Sequence, residues 1–480
     1  MRQPRALTPL FLTEMWERFG FYVVQSLLII YLTSYLNFSD TKSYLVLGEY
    51  TALVYLTPIA GGFFADRVLG PRYAILIGAV LLGIGYSLLA INLHHRFLYL
   101  GLAVVIVGNG LLKPNISSFL GAFYYEDDPR RNAGFTLFYM GINLGVLLAT
   151  GSGGFIQEKM GWAAAFGAAA IGMVIAFGTF CYGFTTYENR GLPISRKQIR
   201  SATLRFFSYK ASIASLILIS IAIAFLLLSS SGIATILQTV VGVVVLLALI
   251  YVATRYEKQL RNKYYALLIL IVMSVIFWGL WLQIFAAVNL FTDRNVDRHI
   301  FGILFPPSAF IALEPLFILL LGPFLAWLWQ HLHIKKLDPT PGMKFALAMF
   351  CLTAAMGLLV WGIHLHRPDG YINPGWIILF FFVLTLGEML LSPTGLAMVT
   401  ELSPPHLSGL MMGVWFMALG FGGELAGYLA KSASIPEGTI TLAHSNAIYA
   451  HAFKNYTLIA FVVAVILLAL TPWLKRLIKS

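Results

Sequence analysis

Charged residues are scarce in this sequence. Asp, Glu, Lys and Arg make up 11% of the 480 residues, whereas an ordinary soluble domain is about a quarter charged. Hydrophobic residues account for 59%. Apolar stretches of about 20 residues, the length that spans a bilayer as a helix, follow one another almost end to end. The scarcity of charge therefore excludes an ordinary soluble protein and predicts an all-α membrane protein.

Cysteine and catalytic motifs are also scarce. The two cysteines, Cys181 and Cys351, both fall in apolar stretches, so we expect reduced thiols, no disulfide framework and no metal site. The ten histidines fall in loops or near the ends of apolar stretches, so a proton carrier inside the membrane should be a carboxylate. Because there is no phosphate-binding loop, nucleophile elbow or HExxH motif, we predict neither an enzyme nor a bound cofactor.

The apolar stretches predict fourteen membrane spans. The seventh and eighth, within 208–254, are rich in Leu, Ile, Val and Ala and are expected to form a plain lipid-facing hairpin. The spans are 10–36, 46–69, 72–92, 97–123, 133–156, 162–185, 208–230, 232–254, 266–288, 308–333, 343–365, 375–400, 408–431 and 452–474.

The positive charges indicate how the chain is oriented. Of the 32 Lys and Arg residues, 22 fall in the two termini and the even-numbered connections, and 8 in the odd-numbered connections. Since cytoplasmic loops carry the excess of Lys and Arg, both termini are expected in the cytoplasm. The same distribution explains the net charge of +12 without nucleic acid as a partner.

A few ionisable residues lie inside the predicted spans, where they are costly and usually mark a pathway or a binding site. For a single pair, a buried structural ion pair is an equally good interpretation. Five locations on separate helices, several beside Gly or Pro, favour a central polar cavity. The residues are Glu14, Glu17 and Arg18 in the first span, Lys113 in the fourth, Glu314 in the tenth, Glu388 in the twelfth and Glu424 in the thirteenth.

Five motifs occur in an order that indicates a family. The run EMWERFGFY at 14–22 closely resembles the ExxERFxYY signature of the proton-dependent oligopeptide transporters, the POT family of the major facilitator superfamily. Four further runs resemble later motifs of that family: GGFFADRVLGPR at 61–72, LLKPNISSFLGAFY at 111–124, FYMGINLG at 138–145 and GEMLLSPTGLAMVTELSP at 387–404.

The resemblance implies a major facilitator fold of two six-helix bundles with an inserted two-helix hairpin. The implied domains are an N-terminal bundle at 1–187, basic linkers and hairpin at 188–263, and a C-terminal bundle at 264–480. The implied function is a symporter that imports dipeptides and tripeptides with protons by alternating access, with its site between the bundles. Such a protein would reside in the inner membrane of a bacterium, contact lipid and work as a monomer.

The resemblance also implies roles for particular residues. Proton coupling would involve Glu14, Glu17 and Arg18, and we add Glu314 to this set from its own position rather than from the resemblance. Substrate binding would involve Arg18, Tyr22, Gln25, Tyr55, Lys113, Asn143, Gln283, Glu314, Glu388, Ser392 and Trp415. A cytoplasmic loop with Asp66, Arg67 and Arg72 would steady the inward and outward states.

Four positions depart from the family pattern. Phe21 replaces the first tyrosine of the YY pair, and Gln25 stands where many members have a second arginine. Leu282 occupies the usual position of a glutamate before Gln283, and Glu314 stands where an asparagine is usual. Two interpretations of Glu314 follow. Either it takes over the role of the missing carboxylate, or it is a solvated residue at the outer mouth of the cavity.

Other functions stay open at this point. A symporter for another small amphoteric or anionic solute is the nearest alternative, because the same family carries such solutes. A channel would need a continuous polar lining, which the sparse charges argue against. A membrane enzyme would need a catalytic constellation, and the sequence offers none.

Overall fold

The computed structural model of the chain describes residues 3–91, 95–125, 128–192, 209–404, 407–438 and 441–479. These ranges are almost entirely helical. The helices are α1 Leu7–Ile30, α2 Asp40–Phe64, α3 Pro71–Ile91, α4 His95–Gly121, α5 Arg131–Met160, α6 Trp162–Tyr182, α7 Tyr209–Ser229, α8 Ser231–Ala253, α9 Lys258–Trp281, α10 Ala287–Asn295, α11 Pro307–Ile311, α12 Leu313–Ile334, α13 Pro341–His364, α14 Pro374–Leu402, α15 Ser408–Ala430 and α16 Leu442–Lys479.

Each predicted span overlaps one of these helices. Thirteen helical segments in the described ranges are long and apolar enough to cross a membrane. The helix that is not among them is α1, which carries Glu14, Glu17 and Arg18 in its first half. The predicted span that is not among the thirteen is therefore the first one, which holds the densest cluster of charge.

Two predicted spans are interrupted. The ninth continues from α9 into a 3-10 turn at Leu282–Phe285 and bends at Ala286, where φ is −112° and ψ is −108°, before α10 begins. The tenth divides into α11 and α12. Because Pro315 has no N–H, the carbonyl of Ile311 has no helical donor four residues later, and the helix is broken there. Glu314 consequently lies in the first turn of α12.

The helices form two compact units. Unit 1 comprises Met1–Leu28 and Leu53–Ser231, and unit 2 comprises Ile29–Ala52 and Gly232–Ser480. The division falls inside α1 and α2 and separates the two inserted helices. Helix α7 packs against α4 in unit 1, whereas α8 belongs to unit 2. The three domains predicted from the sequence stay a prediction.

The connection from α10 to α11 in unit 2 contains a small antiparallel hairpin. Strand β1 is His299–Ile300 and strand β2 is Ile303–Leu304. Asp297 anchors this connection by accepting hydrogen bonds from the ring of His299 and the guanidinium of Arg367. The hydrogen bond from His299 lowers the pKa of Asp297 below its ordinary value, and the hydrogen bond from Arg367 lowers it further. The carboxylate stays ionised and keeps the connection attached.

Close packing of α2 on α4 organises the polar part of unit 1. Asn109 of α4 donates from Nδ2 to the carbonyl of Val54 at 2.9 Å, and Thr57 of α2 donates from its hydroxyl to the carbonyl of Ile106 at 3.1 Å. One turn further, Gly61 lies against Gly110. A Cβ added at Gly61 would lie 1.9 Å from the carbonyl oxygen of Gly110. The close contact between α2 and α4 therefore requires glycine at position 61.

We expect Gly61→Ala to destabilise the protein by about 1–3 kcal/mol, because the helices must separate to admit the methyl group. The control is Gly62→Ala, whose Cβ would lie 3.5 Å from the Cβ of Pro114 in ordinary contact. That change should be neutral or slightly stabilising, since alanine has the higher helix propensity. Thermal unfolding in detergent micelles measures both. Equal unfolding temperatures for the two variants would contradict the packing.

Candidate functional site

Helix α1 carries a cation enclosed by two carboxylates. Arg18 donates from Nε to Oε2 of Glu17 at 2.5 Å and from one terminal nitrogen to Oε1 of Glu17 at 2.6 Å. Glu14 lies one helical turn before Arg18, and its Oε1 is 3.6 Å from the Nε of Arg18. Arg18 is only 4% exposed and both glutamates are fully buried. Arg18 is thus paired with two carboxylates of its own helix.

Helix α4 adds a second cation and an amide. The Nζ of Lys113 donates to Oε1 of Glu14 at 2.5 Å. One turn earlier, the side-chain carbonyl of Asn109 accepts a hydrogen bond from Arg18 at 3.2 Å. We name Glu14, Glu17, Arg18, Asn109 and Lys113 the charged cluster. In the charged cluster α1 and α4 bring their ionisable residues to one place, and this proximity could not be derived from the sequence.

The charged cluster contains two positive and two negative groups, so its formal charge is zero. Neutrality makes the cluster tolerable in a membrane protein, because an uncompensated buried charge costs several kcal/mol. The two cations differ in access, since the side chain of Lys113 is 29% exposed and that of Arg18 is 4% exposed. In this arrangement Lys113 is the cation that an incoming anion can reach.

Aromatic rings surround the charged cluster. The guanidinium of Arg18 lies over the ring of Phe21, 4.7 Å from its centroid, in cation–π geometry. Phe21 is fully buried and meets the rings of Tyr22 and Tyr55 edge-on, with centroid distances of 5.1 and 6.5 Å. Phenylalanine at 21 therefore packs without a hydroxyl to satisfy. The two tyrosines are partly exposed.

Helix α5 approaches the charged cluster through a glycine. A Cβ at Gly145 would lie 2.3 Å from the carbonyl oxygen of Met15 and 3.0 Å from the Cβ of Arg18. Asn143, two residues earlier, is 5% exposed and donates to the carbonyl of Tyr139 at 3.0 Å within α5. The FYMGINLG run thus brings α5 against Arg18. Gln25 is also buried, about two turns after Arg18 on α1.

Unit 2 contains a pair of carboxyl groups. The carboxyl group of Glu314, in the first turn of α12, interacts with that of Glu388 of α14. The indole N–H of Trp281, at the end of α9, donates to Oε2 of Glu388 at 3.1 Å. Glu314 is 7% exposed, so it is not a wet residue at an outer mouth. We name Glu314 and Glu388 the carboxyl pair.

A hydrogen bond within the carboxyl pair requires a proton. Two ionised carboxylates offer only acceptors, so one member must carry a hydrogen to donate to the other. The N-terminus of α12 favours negative charge at Glu314 through the helix dipole, and the indole N–H of Trp281 stabilises negative charge at Glu388. The pair can therefore hold one negative charge and one proton together.

Three other predicted binding residues of unit 2 are buried or half-buried. Gln283 is fully buried and donates from Nε2 to the carbonyls of Gly279 and Ala426 at 3.1 and 3.0 Å. The indole of Trp415 lies against Gly395, where any Cβ would be 2.1 Å from the ring, and is 4% exposed. Ser392 is half-buried on α14. Gln283 supports the 3-10 turn after α9, and Trp415 joins α15 to α14.

The predicted loop of Asp66, Arg67 and Arg72 lies in unit 1. Asp66 and Arg67 are exposed in a π-helical turn at Ala65–Leu69 that ends α2. Arg72 begins α3, donates to the carbonyl of Glu188 at 2.8 Å and lies over the rings of Phe184 and Tyr187. Arg72 therefore attaches α3 to the segment that follows α6.

Sequence reasoning missed two residues of these sites. Asn109 precedes Lys113 by four residues on the same helix, and that spacing was available as a signal. Trp281 lies two residues before Gln283 in the run FWGLWLQ, but nothing in the sequence distinguishes it from a packing tryptophan. Within the described ranges, no group of three or more His, Cys, Asp or Glu residues is arranged to hold a metal ion.

Comparison with families and relatives gives consistent matches. A model of the POT family matches residues 72–447. The dipeptide and tripeptide permease A of Yersinia pestis is 33% identical over 487 residues, which cover 99% of this chain and 94% of that protein. The dipeptide and tripeptide permease B of Salmonella typhimurium is 32% identical over 497 residues, which cover 100% and 97%.

Solved structures match over the same length. A crystal structure of the peptide transporter POT in complex with sulfate has a TM-score of 0.85 and 31% identity, covering 100% of this chain and 96% of that one. A structure described as giving insight into substrate recognition in proton dependent oligopeptide transporters has a TM-score of 0.84 and 28% identity, covering 98% and 99%.

We expect Asn109→Ala to destabilise the protein by about 1–3 kcal/mol, because it leaves a donor of Arg18 and the carbonyl of Val54 buried without their partner. Asn115→Ala is the matched control. Asn115 is equally buried, at 2% exposed, but donates only to the carbonyl of Leu111 in its own helix. Chemical or thermal unfolding in micelles compares them. A larger loss for Asn115→Ala would contradict the bridging role of Asn109.

Proposed function

This chain belongs to the POT family, and we propose on that premise that it imports dipeptides and tripeptides in symport with protons. The observation that carries the proposal is the match of relatives named dipeptide and tripeptide permease along 99–100% of the chain. Family membership confirms two predictions from the sequence, that the chain has the major facilitator fold and that it is a transporter rather than an enzyme. No comparison supports another small solute as the substrate.

The chain is a multi-pass membrane permease of bacterial type. Residence in the inner membrane, with both termini in the cytoplasm, is part of our proposal. It is supported by the 22 Lys and Arg residues on one side against 8 on the other. Action as a monomer in contact with lipid is likewise proposed.

The charged cluster supplies a group for the peptide's carboxylate. Lys113 is the partly exposed cation of the cluster, and an ammonium bound to a carboxylate makes a strong charge-assisted hydrogen bond. While Glu14 is ionised, it competes for the same ammonium at 2.5 Å. Peptide binding to Lys113 is therefore favoured when Glu14 gives up that contact. Tyr22, Tyr55 and Asn143 would contact the rest of the peptide.

The proton provides the means of releasing the cations. Protonating Glu14 or Glu17 changes the formal charge of the cluster from zero to +1, which an arriving carboxylate returns to zero. Proton and peptide anion thus enter the cluster most favourably together. This is the chemical requirement of symport, since each occupant lowers the cost of the other.

The carboxyl pair supplies the complementary chemistry in unit 2. Its negative charge suits a peptide's ammonium group, and its shared hydrogen supplies a transferable proton. Leu282 occupies the usual position of the family's acid, and Glu314 lies one broken helix later, bonded to Glu388. We assign the missing carboxylate's role to Glu314. This part of the site would also be lined by Gln283, Ser392 and Trp415. The cytoplasmic loop that steadies the inward and outward states would contain Asp66, Arg67 and Arg72.

The direct test of the function is uptake into proteoliposomes with an imposed pH gradient. Labelled di-alanine and tri-alanine should accumulate, free alanine should not, and an uncoupler should abolish accumulation. A gradient of one pH unit supplies about 1.4 kcal/mol for each proton that moves inward. Peptide uptake that ignores both the gradient and the uncoupler would refute proton coupling.

We expect Lys113→Ala to abolish peptide uptake, because the accessible cation for the carboxylate is lost. The single variant leaves Glu14 without its lysine, so its folding could suffer. The double variant Glu14→Gln/Lys113→Ala keeps the cluster neutral and should fold while still failing to bind peptide. Binding to the purified double variant, measured by calorimetry, decides the matter. Wild-type affinity there would reject the carboxylate-binding role.

We expect Glu314→Gln to weaken binding of a free dipeptide at least about tenfold while changing an N-acetylated dipeptide far less, because only the free peptide has an ammonium group. Glu401→Gln, an exposed position near the end of α14, is the control. Competition against a labelled peptide measures both ligands. Equal effects on the two dipeptides would end the assignment of Glu314 to the ammonium.

A further inference from the structure

A second pair of acids in unit 2 has no role in the transport chemistry above. Glu49 of α2 is 2% exposed, and neither of its carboxyl oxygens has a hydrogen-bond partner among the described residues. Glu424 of α15 interacts electrostatically with Glu49 and accepts a hydrogen bond from Thr235 of α8. Its Oε1 also lacks a partner in the described ranges. We name Glu49 and Glu424 the second acid pair.

Glycines bring the two acids to the same place. A Cβ at Gly48 would lie 2.9 Å from the Cα of Gly427, and a Cβ at Gly423 would lie 2.8 Å from Cγ2 of Thr51. The backbones of α2 and α15 therefore approach as closely as small residues permit. Each acid is the neighbour of one of these glycines, so the approach of the backbones forces the two carboxyl groups together.

The second acid pair lines a cavity of about 520 Å³. One wall is α8, whose Thr235, Thr239 and Gly242 follow helical spacing along one face. Apolar side chains of α9 and α15, such as Val275 and Phe421, form most of the remaining lining. Helix α8 has one polar contact that its composition does not predict, because Thr235 donates a hydrogen bond to Glu424.

The cavity lacks a positive charge. None of its described lining residues is Lys, Arg or His, and none belongs to the charged cluster or the carboxyl pair. Carboxylates buried without compensation are costly in a membrane protein and are normally paired. A ligand in the cavity can supply the positive charge that the described lining residues lack.

We propose that this cavity is a binding site for a protonated primary amine with a compact apolar body, whose ammonium group is held by Glu49 and Glu424. The donors and acceptors match in number. A primary ammonium has three N–H donors, and the two oxygens of Glu49 with Oε1 of Glu424 are three buried acceptors without a described partner. The apolar walls accept the body of the ligand, and the cavity volume lies in the usual range for small-molecule sites.

The test compares two molecules that differ only in charge and donors. 1-Adamantylamine is protonated at pH 7, and 1-adamantanol has the same apolar cage without the charge. Calorimetric titration of the purified full-length protein in nonionic detergent should show saturable binding of the amine, at least about tenfold tighter than the alcohol. Equal binding of both would mean that only the apolar walls act, and would overturn the proposal.

Variants connect that binding to the second acid pair. Glu49→Gln and Glu424→Gln should each weaken the amine at least about tenfold and leave the alcohol unchanged. Glu401→Gln, which is exposed and does not line the cavity, should change neither ligand. Should either glutamine variant fail to fold, Thr239→Phe, at an exposed lining position, should weaken both ligands by filling the cavity. Undiminished amine binding in Glu49→Gln or in Thr239→Phe would overturn the site.

Discussion

The enclosure of Arg18 is the interaction on which unit 1 depends. A guanidinium on a membrane helix must be neutralised and hydrogen-bonded, and Glu17 and Asn109 do both. Asn109 also donates a hydrogen bond to the carbonyl of Val54, and this bond attaches α2 to α4. Gly145 brings α5 against the same arginine. Three helices are positioned by the need to satisfy one cation.

The same constraint is met in three different ways along the chain. In the charged cluster, opposite charges cancel. In the carboxyl pair, one proton shared by the two groups can remove one of the two like charges, and the indole of Trp281 donates a hydrogen bond to Glu388. In the second acid pair, the described residues provide neither a counter-ion nor a full set of donors, and an external cation completes the balance. A transporter uses such arrangements because their charge can be exchanged for that of a proton or substrate.

Many of the helices and of the charged site residues could be predicted from the sequence, because strong local patterns indicate them. Charge within an otherwise apolar chain identified Glu14, Glu17, Arg18, Lys113 and Glu388, and helical spacing placed Glu14 beside Arg18. The bond from Lys113 to Glu14 could not be derived, since it depends on how two distant helices pack. The break at Ala286 and the donor role of Trp281 likewise depend on tertiary contacts. The contact of Thr235 with Glu424 was overlooked because one threonine barely alters the apolar average of α8.

The most direct measurement of the central claim, that a proton on the charged cluster couples peptide movement to the gradient, uses Glu17→Gln in proteoliposomes. Glutamine imitates a permanently protonated glutamate, so the variant should exchange labelled for unlabelled peptide across the membrane at a rate near that of the wild type. It should fail to accumulate peptide when a pH gradient is imposed. Normal gradient-driven accumulation by Glu17→Gln would contradict the account.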